Sequence, residues 1–130
     1  AISRAVDTRD WSAFADVFAP DGLLEVSRPD GEVYLSLRGA KTIAQAIENR
    51  LAGATSIHHG HNPEIEILAP DLATGTWAME DRLSWSDKSF HGFGHYHERY
   101  VRSASGWRIA ECRLRRIALN EEFAPPPAVS

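Results

Sequence analysis

Six histidines occur in this 130-residue chain, and all of them fall between positions 58 and 97. They form two tight groups, Ile57-His58-His59-Gly60-His61-Asn62 and His91-Gly92-Phe93-Gly94-His95-Tyr96-His97. Imidazole titrates near neutral pH, so it can take or give a proton under working conditions, and it is also the commonest metal ligand. Two chemistries are therefore open, a general acid–base centre and a metal site, beside the plain reading of polar strand residues. One carboxylate draws attention as well. Asp81 alternates with Trp77 and Met79 on an otherwise apolar face, where a charge needs a partner. It reads either as a polar anchor for a substrate or as the mate of an arginine such as Arg99. The lone thiol, Cys112, has no cationic neighbour evident in the sequence to lower its pKa, so it reads as packing and not as a nucleophile.

The elements that must position these residues follow from periodicity. Ile2, Val6, Phe14 and Val17-Phe18 recur at helical spacing over residues 2–18, with a break near Thr8-Arg9-Asp10 where Asp10 or Thr8 can cap a second short helix. Pro20-Asp21-Gly22 predicts a turn. A hairpin follows, 23–27 and 33–37, joined by Arg28-Pro29-Asp30-Gly31. Gly39 opens an amphipathic helix with Ile43, Ala44, Ile47 and Leu51 on one stripe, ended by Gly53. From Thr55 the chain reads as four long antiparallel strands, 55–68, 72–86, 90–103 and 106–119. Helices first and a four-strand meander afterwards predict an α+β fold, with helices packed on one face of a curved sheet. Residues 121–130, containing Pro125-Pro126-Pro127, read as an extended tail of a single domain spanning 1–130. Gly92-Phe93-Gly94 predicts a bulge or bend.

Composition narrows the function. Hydrophobic residues make up 43% and charged residues 25% of the chain, with a formal net charge of −4. Arg113-Leu114-Arg115-Arg116 is too short a basic run for a nucleic-acid footprint, and no apolar stretch approaches the roughly 20 residues that span a bilayer. No glycine-rich loop opens a helix, so no nucleotide cofactor is expected. The single cysteine permits no internal disulfide, which leads us to expect a reducing cytoplasmic setting.

The order of elements, together with Val6-Asp7-Thr8-Arg9-Asp10-Trp11, Ile57-His58-His59-Gly60-His61-Asn62 and Gly106-Trp107-Arg108-Ile109, resembles the SnoaL-like branch of the nuclear transport factor 2-like superfamily. The resemblance covers essentially the whole chain and is strongest to scytalone dehydratase and hexachlorocyclohexane dehydrochlorinase, two lyases. It implies a cone-shaped α+β barrel, a curved and mostly antiparallel sheet wrapped around the N-terminal helices. It also implies that Asp7 and His58 form a catalytic dyad. Val6 stands where the dehydratase has a tyrosine, and Cys112 stands where the dehydrochlorinase has an arginine, so that electrophilic assistance is expected to be missing.

The chemistry of such a pair is clear without the family. An imidazole held through one nitrogen by a carboxylate is fixed in one tautomer and becomes a better base at the other, which contributes roughly 10²–10⁴-fold to a rate. Alternatively Asp7 merely caps a helix end. Strand neighbours point to opposite faces, so His59 and His61 turn away from His58, and His95 and His97 turn away from Tyr96. The outer four then line the outside of the sheet, which in the superfamily is often a dimer or trimer interface; a zinc site among them lacks supporting pattern. Tyr96, Asp81, Trp77, Met79, Val26, Cys112 and Leu114 are expected to line the pocket. The expected function is a cofactor-independent dehydratase-like lyase or isomerase acting on a hydrophobic cyclic molecule. The alternatives are a non-catalytic binding protein with the same pocket, and an interaction module using the sheet face.

Overall fold

In the computed structural model, which describes residues 2–123, three short helices pack on one curved, six-stranded sheet. The chain runs α1 (Ile2–Asp7), α2 (Trp11–Val17), β1 (Phe18–Ser27), β2 (Val33–Arg38), α3 (Ala40–Arg50), β3 (Thr55–Ala69), β4 (Leu72–Ser84), β5 (Lys88–Ser103) and β6 (Gly106–Phe123). Asp10 caps α2, its carboxylate accepting from the Ala13 amide at 3.1 Å. Such a cap satisfies a backbone donor that the first turn leaves unpaired.

The strand order is β2-β1-β6-β5-β4-β3. The four long strands form the antiparallel meander read from the sequence. The sheet is nevertheless mixed, because β1 lies parallel to β6, with Leu24 opposite Cys112 and Val26 opposite Leu114. It is curved but not closed into a barrel, so β2 and β3 remain as edges. Gly92-Phe93-Gly94 marks a break in register: Phe93 pairs with Ala118 and Gly94 with Arg116.

Two boundaries differ from expectation. β1 begins at Phe18 instead of Leu23, because Phe18 already pairs with Ile109; the turn residues 20–22 interrupt the register between Phe18 and Leu23 without ending the strand. β6 continues to Phe123, opposite Lys88, so residues 121–123 belong to the sheet and not to a tail. The rest of the expected tail, with Pro125-Pro126-Pro127, lies outside the described residues.

The core sits between helices and sheet. Phe14, Phe18, Ile43 and Cys112 are essentially inaccessible, joined by Leu24, Val26, Met79, Leu83 and Leu114. Trp11, Phe14 and Phe18 stack edge to face in series, with centroids 5.8 Å and 5.5 Å apart, the geometry aromatic quadrupoles favour. This ladder fixes α2 against β1. Among the described residues no helix is long and apolar enough to cross a membrane.

Candidate active site

The concave face holds a cavity of about 360 Å³. Its walls are apolar, with Phe14, Leu24, Val26, Leu83, Phe90 and Leu114 among them, and into these walls a few polar groups converge: His58, Asp81, Arg116, Tyr34 and Tyr96. Small apolar cavities with a few placed polar groups are the usual form of a small-molecule site.

His58 projects from β3 with Asp7 behind it. Asp7 Oδ1 lies 2.7 Å from His58 Nδ1, and Asp7 Oδ2 accepts the His58 backbone N–H at 2.8 Å. Ser56 Oγ donates to Asp7 Oδ1 at 3.1 Å. Arg9, held at a positive φ of 60° between α1 and α2, donates to Ser56 Oγ and to the carbonyls of Val6 and Ala54. The end of α1 is thus tied to the start of β3. Hydrogen-bonding at Nδ1 leaves Nε2 of the ring toward the cavity, where Asp81 Oδ2 lies 3.8 Å away.

Asp81 is almost wholly buried and answers to Arg116, not to Arg99. Arg116 Nη1 and Nη2 reach Asp81 Oδ1 and Oδ2 at 2.9 Å and 3.0 Å, a two-point fork. Arg99 lies opposite Thr74 and has the wrong parity: Tyr96, Glu98 and Tyr100 share the inner face of β5, and Arg99 does not. Burial alone would lower the pKa of Arg116, but the hydrogen bonds and charge of Asp81 raise it on balance, so it stays a cation. Arg116 Nε donates to the Tyr34 hydroxyl at 3.2 Å. Gly92 makes this possible, since a Cβ there would sit 2.2 Å from Arg116 Nη1 and 2.5 Å from Asp81 Oδ1. An arginine of the last strand therefore does enter the cavity, at 116, although Cys112 occupies the place where one was sought.

The expected pocket residues divide. Val26, Leu114, Asp81 and Tyr96 line this cavity. Trp77 instead lines a second cavity, of about 710 Å³, which Tyr96 also borders. Met79, between Trp77 and Asp81 on the strand, is 3% exposed and lines neither. Cys112 is likewise buried in the core, and burial, reinforced by Glu98, pushes its thiol pKa well up. Burial also raises the Tyr96 phenol well above its ordinary value, with Cys112, Asp81 and Glu98 adding and Arg116 opposing. That hydroxyl stays protonated, a donor.

The outer histidines pair along their strands, His59 with His61 at 5.9 Å between ring centroids and His95 with His97 at 6.4 Å. Among the described residues no three His, Cys, Asp or Glu side chains gather around a common point. Tyr34 and Arg116 are the site residues that sequence reading did not single out. The signal for Arg116 was present, because the inward alternation Cys112, Leu114 continues to 116.

The family model of the SnoaL-like domain matches residues 1–113. The chain belongs to this family. This SnoaL-like domain is 25% identical over 124 residues to the probable cyclase FGR4 of Gibberella zeae, covering 88% of the chain and 83% of that protein. Among solved structures it superposes on a scytalone dehydratase-like protein from Novosphingobium aromaticivorans with a TM-score of 0.80 at 15% identity, covering 98% and 87% of the two chains. The hexachlorocyclohexane dehydrochlorinase LinA-type3 of Novosphingobium barchaimii gives 0.77 at 20% identity, covering 96% and 88%. A Mycobacterium tuberculosis protein of unknown function gives 0.75 at 24% identity; the match covers 88% of this chain but spans only 64% of that protein's length. These likenesses establish the nuclear transport factor 2-like cone fold expected from the sequence.

Proposed function

We propose that this SnoaL-like domain is a cofactor-independent lyase of the dehydratase kind, acting on a hydrophobic cyclic small molecule. The observation that carries the reading is the 2.7 Å contact of Asp7 Oδ1 with His58 Nδ1 at the wall of the largely apolar cavity. With Nδ1–H held by the carboxylate, Nε2 carries the lone pair that faces the substrate. It takes a proton from ring carbon; the electron pair of that C–H bond becomes the new double bond as the neighbouring C–O bond breaks. The imidazolium then returns its proton to the departing oxygen, which leaves as water. Asp7 stabilises the imidazolium directly, and Asp81 does so through space from 3.8 Å. The Tyr34 oxygen accepts from Arg116, so its own O–H is free to donate to a substrate carbonyl and steady the developing enolate. Tyr96 provides a second such donor. Isomerisation would use the same proton transfer without loss of water. The likeness to proteins named as dehydratase, dehydrochlorinase and cyclase supports a reaction of this general kind.

The test is turnover of cyclic β-hydroxy ketones, whose dehydration yields a conjugated enone followed by its near-ultraviolet absorbance. His58→Ala should slow it by roughly 10²–10⁴-fold, and the wild-type profile should show an ionisation limb that the variant lacks. A variant as fast as wild type overturns the mechanism.

One observation favours a second reading, a binding protein without chemistry. Asp7 accepts from a backbone amide and from Ser56 as well as from the ring, so it has a tethering role whether or not His58 reacts. Under that reading wild type and His58→Ala bind the same ketones and neither converts them.

A further inference from the structure

The cavity that holds His58 adjoins an outer chamber of about 230 Å³. The two share five wall residues, Tyr34, Arg50, Trp85, Lys88 and Phe90. The chamber differs from the cavity in its charge. Arg28, Arg50 and Lys88 border it against one carboxylate, Glu121. Such a concentration of positive charge runs against a chain whose formal net charge is −4. Among the described residues none of these three cations forms an ion pair, and all three are exposed.

Two of the cationic heads are held at the junction of the two spaces. Arg28 Cζ lies 4.7 Å from the centroid of the Tyr34 ring, and Lys88 Nζ lies 4.8 Å from that of Trp85. Ring faces attract cations through their quadrupoles, and both rings are walls common to cavity and chamber. Trp85 in turn stacks on Phe90, with centroids 6.1 Å apart. Arg50, the last residue of α3, borders both spaces as well; a cation there also suits the helix dipole. The inner end has the opposite requirement. Arg116 is already forked by Asp81, and His58 lies between Asp7 and Asp81. A ligand carboxylate at that end would have to displace Asp81 from its arginine, whereas at the mouth it meets unpaired cations. A molecule spanning both spaces is therefore oriented, apolar ring inward and negative end outward. A cleft edged by one sign of charge also gathers ions of the other.

We propose that the substrate is a cyclic acid: an apolar ring that fills the inner cavity beside His58, bearing on a short arm a carboxylate that rests among Arg28, Arg50 and Lys88. This rests on the lyase reading of His58 and adds the class of molecule to it. Dehydration leaves the carboxylate untouched, so substrate and product both carry it, and its part is to bind and to orient.

The experiment is a titration of the ¹⁵N-labelled protein at neutral pH with sodium 3-phenylpropanoate and, separately, with the neutral 3-phenylpropanamide, reading the indole N–H signals. The acid is expected to shift Trp85 saturably and to bind at least tenfold more tightly than the amide. Raising the salt from about 0.01 M to about 0.15 M shortens the screening length from roughly 30 Å to 8 Å, and should weaken the acid at least threefold and the amide not at all. Arg50→Gln combined with Lys88→Gln should bring the acid down to the affinity of the amide, whereas the charge-keeping exchange Arg50→Lys with Lys88→Arg should preserve the preference. Equal affinity for acid and amide, a preference that survives the double glutamine variant, or absence of any shift overturns the proposal. So do shifts confined to Trp77 and Trp107, which place the acid in the cavity that those residues border. Binding is read without turnover, so the two readings fail separately. A preference for the acid in a protein that dehydrates no ketone supports the anion site while removing the lyase. Dehydration of neutral ketones without that preference overturns the anion site and keeps the lyase.

Discussion

Asp7 holds His58 at two points, one oxygen on the ring nitrogen and the other on the backbone amide of the same residue. Ring and strand are thereby oriented by a single carboxylate. Asp7→Ala removes both contacts together with that of Ser56, and hydrogen bonds to a charged group are each worth about 1.5–3 kcal/mol. Asp7→Asn keeps one oxygen acceptor but presents the wrong group to one of the three donors. We expect Asp7→Ala to lose on the order of 2 kcal/mol or more in urea unfolding, Asp7→Asn less, and both to lose turnover. An Asp7→Ala protein as stable as wild type would show that the tether carries no weight.

The buried pair of Asp81 and Arg116 gives a sharper signature. Removing one partner of a buried pair leaves a bare charge and costs about 3–5 kcal/mol, whereas replacing both by apolar residues is often neutral. Asp81→Asn or Arg116→Met alone should lower the urea midpoint strongly. The double variant Asp81→Leu with Arg116→Met should recover most of that loss while remaining inactive. Additive losses in the double variant would argue that the two side chains act separately.

Gly92 tests the same pair through space alone. A methyl group there overlaps the guanidinium and the carboxylate, and overpacking of this kind costs about 1–3 kcal/mol. Gly92→Ala should therefore destabilise the fold and reduce turnover without removing any polar atom of the site. Calorimetry of Gly92→Ala beside the Arg116→Met variant decides this, since with the guanidinium gone only the overlap with Asp81 remains and Gly92→Ala should cost less there than in wild type.

Glu98 predicts a pH dependence. Burial is the main cause of its raised pKa, only partly offset by hydrogen bonds from Tyr100 and Cys112. A carboxyl whose folded value lies above its unfolded one binds more protons when folded, so the stability it lends is fully present below its ordinary value of 4.5 and is lost as pH rises through the raised value. The unfolding free energy of wild type relative to Glu98→Gln should fall as pH rises above the ordinary value of 4.5. A constant difference would show that Glu98 titrates normally.

The outer face of the sheet leaves Phe93 37% and Ile117 63% exposed. We propose that copies of the chain associate through this face, and charge placed there should separate them. Sedimentation of Phe93→Glu and Ile117→Glu should report a lower mass than wild type; unchanged mass in both excludes this face.

Much of this architecture was legible because it is local. Helical spacing located the short N-terminal helices, the cap of the second was narrowed to Thr8 or Asp10, and strict alternation assigned His58 and Asp81 to the inner face. What escaped is set by distant chain. Which inner-face residues share a cavity depends on where the helices cross the sheet, so Trp77 and Asp81, four positions apart on one face, end in different cavities. Arg116 was within reach of alternation, but its partner could be fixed only by the register of β5 between β4 and β6.

The parallel pairing of β1 with β6 has a consequence for how the chain comes together. Leu24 and Val26 wait for Cys112 and Leu114, which are synthesised after the other five strands. Every other strand contact joins neighbours in sequence and can close early, whereas this one carries the largest loop entropy and comes late. During synthesis β1 and β2 must remain without their sheet neighbour until β6 has left the ribosome, and a chain halted before Leu114 would leave one edge of β1 unpaired, with only α2 and α3 packed on the hairpin. The last strand is therefore the step on which cooperative folding, and exposure to aggregation before it, depends.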